Sequence, residues 1–392
     1  MQLKISLAVA TLLSTMALNA EDYVTVQYLQ YNENKDRTDV SAPSIMINKD
    51  FGTDYTLNAS LVVDVVSGAS QNYYDESYDG TSSASSDTSS GASAFARGLE
   101  IKASDVEYGN TQYDDKRVAG SLLLTKRFEN RDELTVGVSR SNESDFYSTE
   151  ASAEYMHWLD SSKNQSVAFG VSYQVNQILK YCNSVGVDGC SGASQAMDAT
   201  AFNAQVSFSQ NIDSSSNAKI ALFFSNDDGY LDNPYLNVVR NYKADSSADV
   251  VGENRPDSKI AYGLTLKYAN ALSDTLTLHL GYRYYSDDWG IDSHTLDTDI
   301  LYEFDDDWIF KVGLRGYIQT EADFFSGYKD YFTDEVYASS DQRLSGFNAL
   351  TYKSSIDYKI NDEININFGA NYYTQSTGLD ALYFVSGFTY GF

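Results

Sequence analysis

The stretch LYFVSGFTYGF, Leu382 to Phe392, decides how the rest of the chain is read. Its alternate positions Leu382, Phe384, Phe388, Tyr390 and Phe392 are apolar, with Ser386 the odd member of the row. Between them stand Tyr383, Val385, Gly387, Thr389 and Gly391, a smaller and more polar set. Period-two alternation of this length is a β-strand whose two faces meet two different surroundings. At the edge of a soluble sheet, so flat and aromatic a strand would template aggregation. In a closed barrel it pairs with the first strand and no edge remains. The competing fold, a soluble sandwich, would end most strands sooner and has no reason to sort its loops by side.

The same alternation recurs along the chain. Strands are expected near 22–33, 38–50, 55–67, 116–128, 133–142, 146–158, 165–179, 199–210, 217–227, 258–270, 275–286, 293–304, 308–320, 345–359, 364–374 and 380–392. Phe51 to Asp54, Asn130 to Asp132, Asp305 to Asp307 and Asn361-Asp362 make short turns between every second pair. The other connections include the long ones, 68–115, 180–198, 228–257 and 321–344. Short turns on one side, long loops on the other and an even count of about sixteen strands define a transmembrane antiparallel up-and-down barrel. In such a barrel Leu276, Leu278, Leu280, Tyr282 and Tyr284 form an outward row, with Thr275, Thr277, His279, Gly281, Arg283 and Tyr285 inside. Trp158 and Trp308 fall where a periplasmic aromatic girdle would sit.

Composition agrees with this architecture. Residues 1–20 read as a cleaved signal peptide: Lys4, an apolar run from Ile5 to Leu13, then the small-residue exit Ala17-Leu18-Asn19-Ala20. Residues 21–392 then form one barrel, since no later stretch is apolar long enough for a spanning helix. The sequence holds 32 Tyr, 19 Phe and only 3 Pro, a strand-forming profile. A formal charge of −28 argues against nucleic acid as a partner. In an exported chain, Cys182 and Cys190 are expected to form a disulfide that clips the loop between them. Residues 71–91, rich in Ser, Asp, Gly and Tyr, read as a mobile part of the long acidic extracellular loop 68–115.

The inward rows hold charges of both signs. Asp64, Arg127, Lys267, His279, Arg283, Asp297, Asp299, Glu303, Lys311 and Arg315 are assigned to the lumen. The last seven place an acidic column between two basic ones on consecutive strands. Such ladders brace a barrel wall, and they also set the sign of a permeant ion. A catalytic reading finds little support. Of 3 His, only His294 adjoins a Ser, and Ser293 and His294 would point to opposite faces. Acidic pairs such as Asp227-Asp228 and Asp287-Asp288 lack the ligand spacing of a calcium loop and read as turns. No enzyme activity, cofactor or metal is expected.

Five stretches resemble an uncharacterised family of bacterial outer-membrane barrels known only as a domain of unknown function. They are YLQYNENKDRTDVSAP from Tyr28, SLVVDVVSGAS from Ser60, SNESDFYST from Ser141, GYRYYSDDWGIDSHTL from Gly281 and YASSDQRL from Tyr337. They run in order along almost the whole mature chain. Family members carry Pro after the Ser-Gly-Ala-Ser segment, where this chain has Gln71. The resemblance implies export and a barrel, and it implies no substrate. The motif positions Asp64, Arg117, Asp288, His294 and Arg343 gather at the extracellular strand ends, where they either knit the barrel mouth or line a vestibule. The aromatic end Phe388, Tyr390 and Phe392 is similar to the signal that directs such barrels to the assembly machinery. The expected protein is therefore a porin-like channel of the bacterial outer membrane, in contact with its lipid and passing small hydrophilic solutes or ions. The alternative is a non-conducting barrel serving as scaffold or surface-binding module. Neither the solute nor the oligomeric state is legible.

Overall fold

The computed structural model describes residues 22–75, 106–181, 194–241, 249–327 and 335–392. The expected signal segment, and both cysteines of the expected disulfide, lie outside the described residues. Asx-type side-chain bonds make the short turns. Asp305 Oδ1 accepts from the amides of Asp307 and Trp308, at 3.0 and 2.9 Å. Asn361 Oδ1 accepts from Glu363 and Ile364, at 2.9 and 2.8 Å. Such bonds hold a two- or three-residue reversal and force the next strand to return antiparallel.

Nine strands precede a small excursion: β1 (Tyr23–Glu33), β2 (Thr38–Phe51), β3 (Tyr55–Asp75), β4 (Val106–Arg127), β5 (Glu133–Asn142), β6 (Phe146–Trp158), β7 (Gln165–Tyr181), β8 (Ser194–Asn211) and β9 (Ser216–Gly229). A hairpin of β10 (Asn237–Arg240) and β11 (Asp249–Gly252) follows. The ring then resumes with β12 (Ser258–Ser273), β13 (Leu276–Asp287), β14 (Asp292–Glu303), β15 (Trp308–Gln319), β16 (Phe347–Lys359), β17 (Ile364–Gln375) and β18 (Asp380–Gly391). Every strand except the hairpin joins one closed antiparallel barrel of sixteen, in the order expected of up-and-down connections.

β18 closes the ring by pairing with β1 along its length, from Tyr23 opposite Gly391 to Glu33 opposite Ala381. Thr25 and Thr389 share a hydroxyl hydrogen bond of 3.0 Å across this seam. At its short-turn end the Phe392 amide donates to the Asp22 carbonyl at 3.0 Å, and Lys49 pairs with the Asp22 carboxylate while lying 5.0 Å over the Phe392 ring.

The outward rows are those read from the sequence. Val138, Phe169, Leu296 and Val312 are each more than half exposed, which in water would be untenable over a whole surface and in lipid is the stable arrangement. Trp308 stands in this outer band, its ring 4.3 Å from Tyr358 and 6.1 Å from Phe310. Trp158 does not. It ends β6 on the inward side of the register and donates its indole N–H to the Arg131 carbonyl at 2.9 Å. Near the seam Leu29, Val40, Ala42 and Val385 fill the interior with a small apolar cluster. The expected loop 68–115 is shorter than its sequence suggested: residues 68–75 and 106–115 continue β3 and β4 as a paired ribbon beyond the rim.

Candidate functional site

The lumen wall is built from the inward positions of successive strands, so the register decides which charges meet. Asp297 stands opposite Arg315, and Asp299 opposite His279 and Gly313. Arg315 Nε bonds Asp297 at 2.8 Å, and Lys311 Nζ reaches Asp299 at 3.6 Å. The expected acidic column between basic neighbours is present on β13 to β15. The centre of the network is a residue the sequence reading passed over, Lys353 on β16. Its ammonium lies 3.1 Å from Asp297 and 2.6 Å from Asp299, bridging the two aspartates. Gly313 makes this possible, since a Cβ there would collide with the Asp299 carboxylate. The signal was available: Lys353 lies in the polar row of β16 with Thr351, Ser355 and Asp357.

Other lumen assignments fall differently. Lys267 faces inward directly opposite Lys219, which the sequence reading also missed. Glu303 lies on the inward row of β14 at its short-turn end. Arg127 sits at the same end and is held by Glu133 at 3.4 Å and Asp50 at 3.8 Å. Asp64 points inward but is committed to an ion pair with Arg117 across β3 and β4, and both are mostly buried. These two expected residues are thus a strut of the wall. Across the ring the inward rows of β5 and β6 carry Glu133, Glu150 and Glu154 with no Lys or Arg. β6 stands eight strands from β16, so glutamates face the lysine side of the network across the lumen.

The long-loop end is capped. The loop after β9 and the loop after β15 pair through Asn254 and Ala338, whose amides each donate to the other's carbonyl at 3.0 and 2.7 Å. Beneath that bridge Arg255 is buried between two carboxylates, Glu253 at 2.6 Å and Asp341 at 2.9 Å. Ser339 donates to Glu253, and Arg343 flanks Asp341. Burial pushes Glu253 above the usual carboxylate range. Asp341 lies below it: Arg343 and Arg255 outweigh the burial that would raise it. Val238 and Ala338 are fully buried in this cap. The β10–β11 hairpin springs from one side of the ring and brings its Cα atoms within 8 Å of β3, six strands from β9. A second cluster, Trp289, Ile291, Ala322, Phe324 and Leu344, seats the β15–β16 loop on the β13–β14 turn. Gly290 has φ +91° there, and a Cβ on it would lie 2.5 Å from Asp323, so the turn requires glycine twice over.

The mouth residues read from the sequence divide accordingly. Arg343 braces the cap through Asp341. Asp288, in the β13–β14 turn, accepts from the Ile260 amide of β12 at 2.9 Å. His294 stands in the outward row with Leu296, its Nδ1 2.8 Å from the Tyr282 hydroxyl and its ring 5.2 Å from Tyr284. It belongs to the outer aromatic band and lines no vestibule. On the rim, Asp115, Glu143 and Asp145 bring carboxylate oxygens within 4.8 Å of one another. Burial and the Asp115 charge push the Glu143 carboxyl, in the β5–β6 turn, up to about 7. At neutral pH these groups relieve their repulsion partly by holding a proton.

Between the charge network and the cap lies a cavity of about 310 Å3 on the inner wall of β12 to β15, roofed by Leu344. Arg283 projects into it with its guanidinium 4.7 Å over the Phe223 ring. Lys259, also lining it, lies 5.1 Å over Trp289 and bonds Asp227 at 2.9 Å.

Known proteins place the chain as follows. The family model described as Protein of unknown function (DUF3570) matches residues 4–387. Among curated proteins none matches in sequence. Among solved structures the chain is similar to the ferric enterobactin receptor PfeA of Pseudomonas aeruginosa, at 11% identity and a TM-score of 0.45, over 92% of this chain and 55% of that one. It thus spans about half the length of that receptor. It is also similar to a bacterial polysaccharide outer membrane secretin, at 8% identity and a TM-score of 0.49 over 96% of this chain and 100% of that one. OpdQ of Pseudomonas aeruginosa matches at 8% identity and a TM-score of 0.42, over 95% and 98%.

Proposed function

This chain belongs to the DUF3570 family of proteins of unknown function, and from the chemistry of its lumen we propose that it is a porin-like channel of the bacterial outer membrane. In this reading its apolar outer rows meet outer-membrane lipid, the assembly machinery inserts it, and small hydrophilic solutes or ions pass through. One observation carries the proposal: the inward wall holds ion pairs, among them Arg315–Asp297 and Lys353–Asp299, facing the glutamates of β5 and β6 across the ring. A barrel of sixteen strands is wide enough for an aqueous lumen unless loops fill it. Opposed basic and acidic walls there set up a transverse field that orders polar solutes and discriminates ions by sign. No catalytic role is part of this reading.

The test is reconstitution of the purified full chain in planar bilayers, with stepwise conductance expected. Replacing Arg283 and Arg315 by Gln should shift permeation toward cations, and an unchanged reversal potential would refute their role in selectivity. A second reading, a non-conducting scaffold or docking barrel, is favoured by the cap, in which Arg255 locks two loops over the mouth. A folded, heat-modifiable barrel that never conducts would establish it instead.

A further inference from the structure

We propose that the cavity around Arg283 is a binding subsite for a small aromatic carboxylate. Arg283 lies on the inward side of β13, opposite Thr265 and Thr295. Among the described residues it makes no ion pair; Tyr285, Tyr317 and Arg315 are the ionisable groups that act most on its charge, and Lys259 and Asp287 share its cavity. Arg315 is already engaged by Asp297, so the Arg283 guanidinium is a free planar fork of donors facing a void. That geometry matches a carboxylate, which it can take through two parallel hydrogen bonds.

The surroundings choose the rest of the ligand. Phe223 lies flat beneath the guanidinium and stacks on Tyr285, centroids 6.3 Å apart and planes inclined by 24°. Space for that ring comes from Gly263, where a Cβ would lie 2.5 Å from Phe223 Cζ. The Tyr285 and Tyr317 hydroxyls are committed to other residues of the wall, donating to Asp287 at 2.7 Å and to Gln319 at 2.6 Å. What these tyrosines leave to a ligand is ring surface. Asp287 is the one carboxylate in the wall, and its oxygens accept from the Trp289 and Ile291 amides and from Tyr285, so its charge is met by three donors. A void of about 310 Å3 is at the small end of ligand pockets and suits a single ring with its acid group. Stacking between the aromatic walls adds to the charge contact, which separates such a ligand from acetate.

The channel reading enters only as the route by which the ligand arrives. The test therefore measures equilibrium binding by titration calorimetry of the folded full chain in detergent, with benzoate, acetate and benzylammonium as probes. Benzoate is expected to bind at least tenfold more tightly than acetate, benzylammonium not detectably, and Arg283→Gln should weaken benzoate at least tenfold. Equal affinities for benzoate and benzylammonium on the unaltered chain would overturn the proposal, whether or not the variant folds. So would benzoate affinity unchanged in a folded Arg283→Gln protein, or acetate binding as tightly as benzoate. Benzoate binding without bilayer conductance would refute the channel alone, and conductance without benzoate binding would refute the subsite alone.

Discussion

Replacing Arg255 by Met should unlock the cap without unfolding the barrel. Arg255 is 8% exposed and neutralises Glu253 and Asp341, both nearly inaccessible. Removing one partner of a buried ion pair costs about 3–5 kcal/mol because the other charge stays buried and unpaired. Here the loss is smaller, since Asp341 keeps Arg343 and Glu253 keeps donors from Ser339 and the Asn233 amide. About 2–3 kcal/mol then separates the two chains, which raises the population with an opened cap by roughly 30- to 150-fold. Amide hydrogen exchange at Val238, Val239 and Val250, all buried in the cap, reports that population directly. Protection there should fall about a hundredfold while the amides of β13 to β15 are unaffected. Adding Glu253→Met should restore part of the protection, because an apolar pair of similar volume carries no desolvation penalty. A fall of less than threefold would refute the assignment of Arg255 as the lock.

Three further outcomes are expected. Lys353→Met leaves Asp299 with only Lys311 at 3.6 Å; discounted for a hydrated lumen, the loss is about 1–2 kcal/mol. The temperature of the heat-modifiable gel shift should drop by several degrees, and an unchanged temperature would show that Lys353 is dispensable to the network. Glu143 titrates near 7 in the fold against an ordinary 4.5. The folded state therefore binds more protons between those values, and its contribution to stability is present below pH 4.5 and lost as pH rises through 7. Glu143→Gln should raise the urea midpoint at pH 8 by about 1–3 kcal/mol equivalent and leave it unchanged at pH 4; a gain of equal size at both would contradict the burial argument. Deleting Phe392 removes an amide donor to Asp22 and the ring beneath Lys49. The folded fraction in outer-membrane preparations should fall several-fold, whereas Phe51→Ala, an exposed aromatic of the same rim, should leave it unchanged.

The fold was legible because strand faces repeat every two residues. Leu276 to Tyr284 and Leu382 to Phe392 declare an apolar side whatever they pair with. The position of His294 was legible by the same rule, since it shares a row with Leu296 and must look outward. Asp297 and Arg315 lie on adjacent strands, so the short turn at Asp305 to Asp307 fixes their meeting. Lys353 escaped because a loop of more than twenty residues precedes β16, and no turn chemistry sets its register. The cap escaped more completely. Arg255 and Asp341 are 86 positions apart and belong to two irregular loops, where no periodicity marks which backbone groups face each other. Asp64 and Arg117 were both picked out, but their mutual neutralisation depends on a pairing across residues 76–105 that alternation does not number.

The seam has a kinetic consequence. Tyr23 and Gly391 face each other across β1 and β18, so the last ring contact joins positions 368 apart. The entropy of closing so long a loop grows only slowly with length, by about 0.6 kcal/mol per doubling. The remaining fifteen junctions join strands adjacent in the ring order, all but one by a single connection without intervening strands. Until the sixteenth forms, an open sheet carries two unsatisfied rows of backbone donors and acceptors toward lipid, which offers them no partners. A sheet not yet closed would be exposed at both edges, and a catalyst that shields them until they meet would be expected to accelerate assembly.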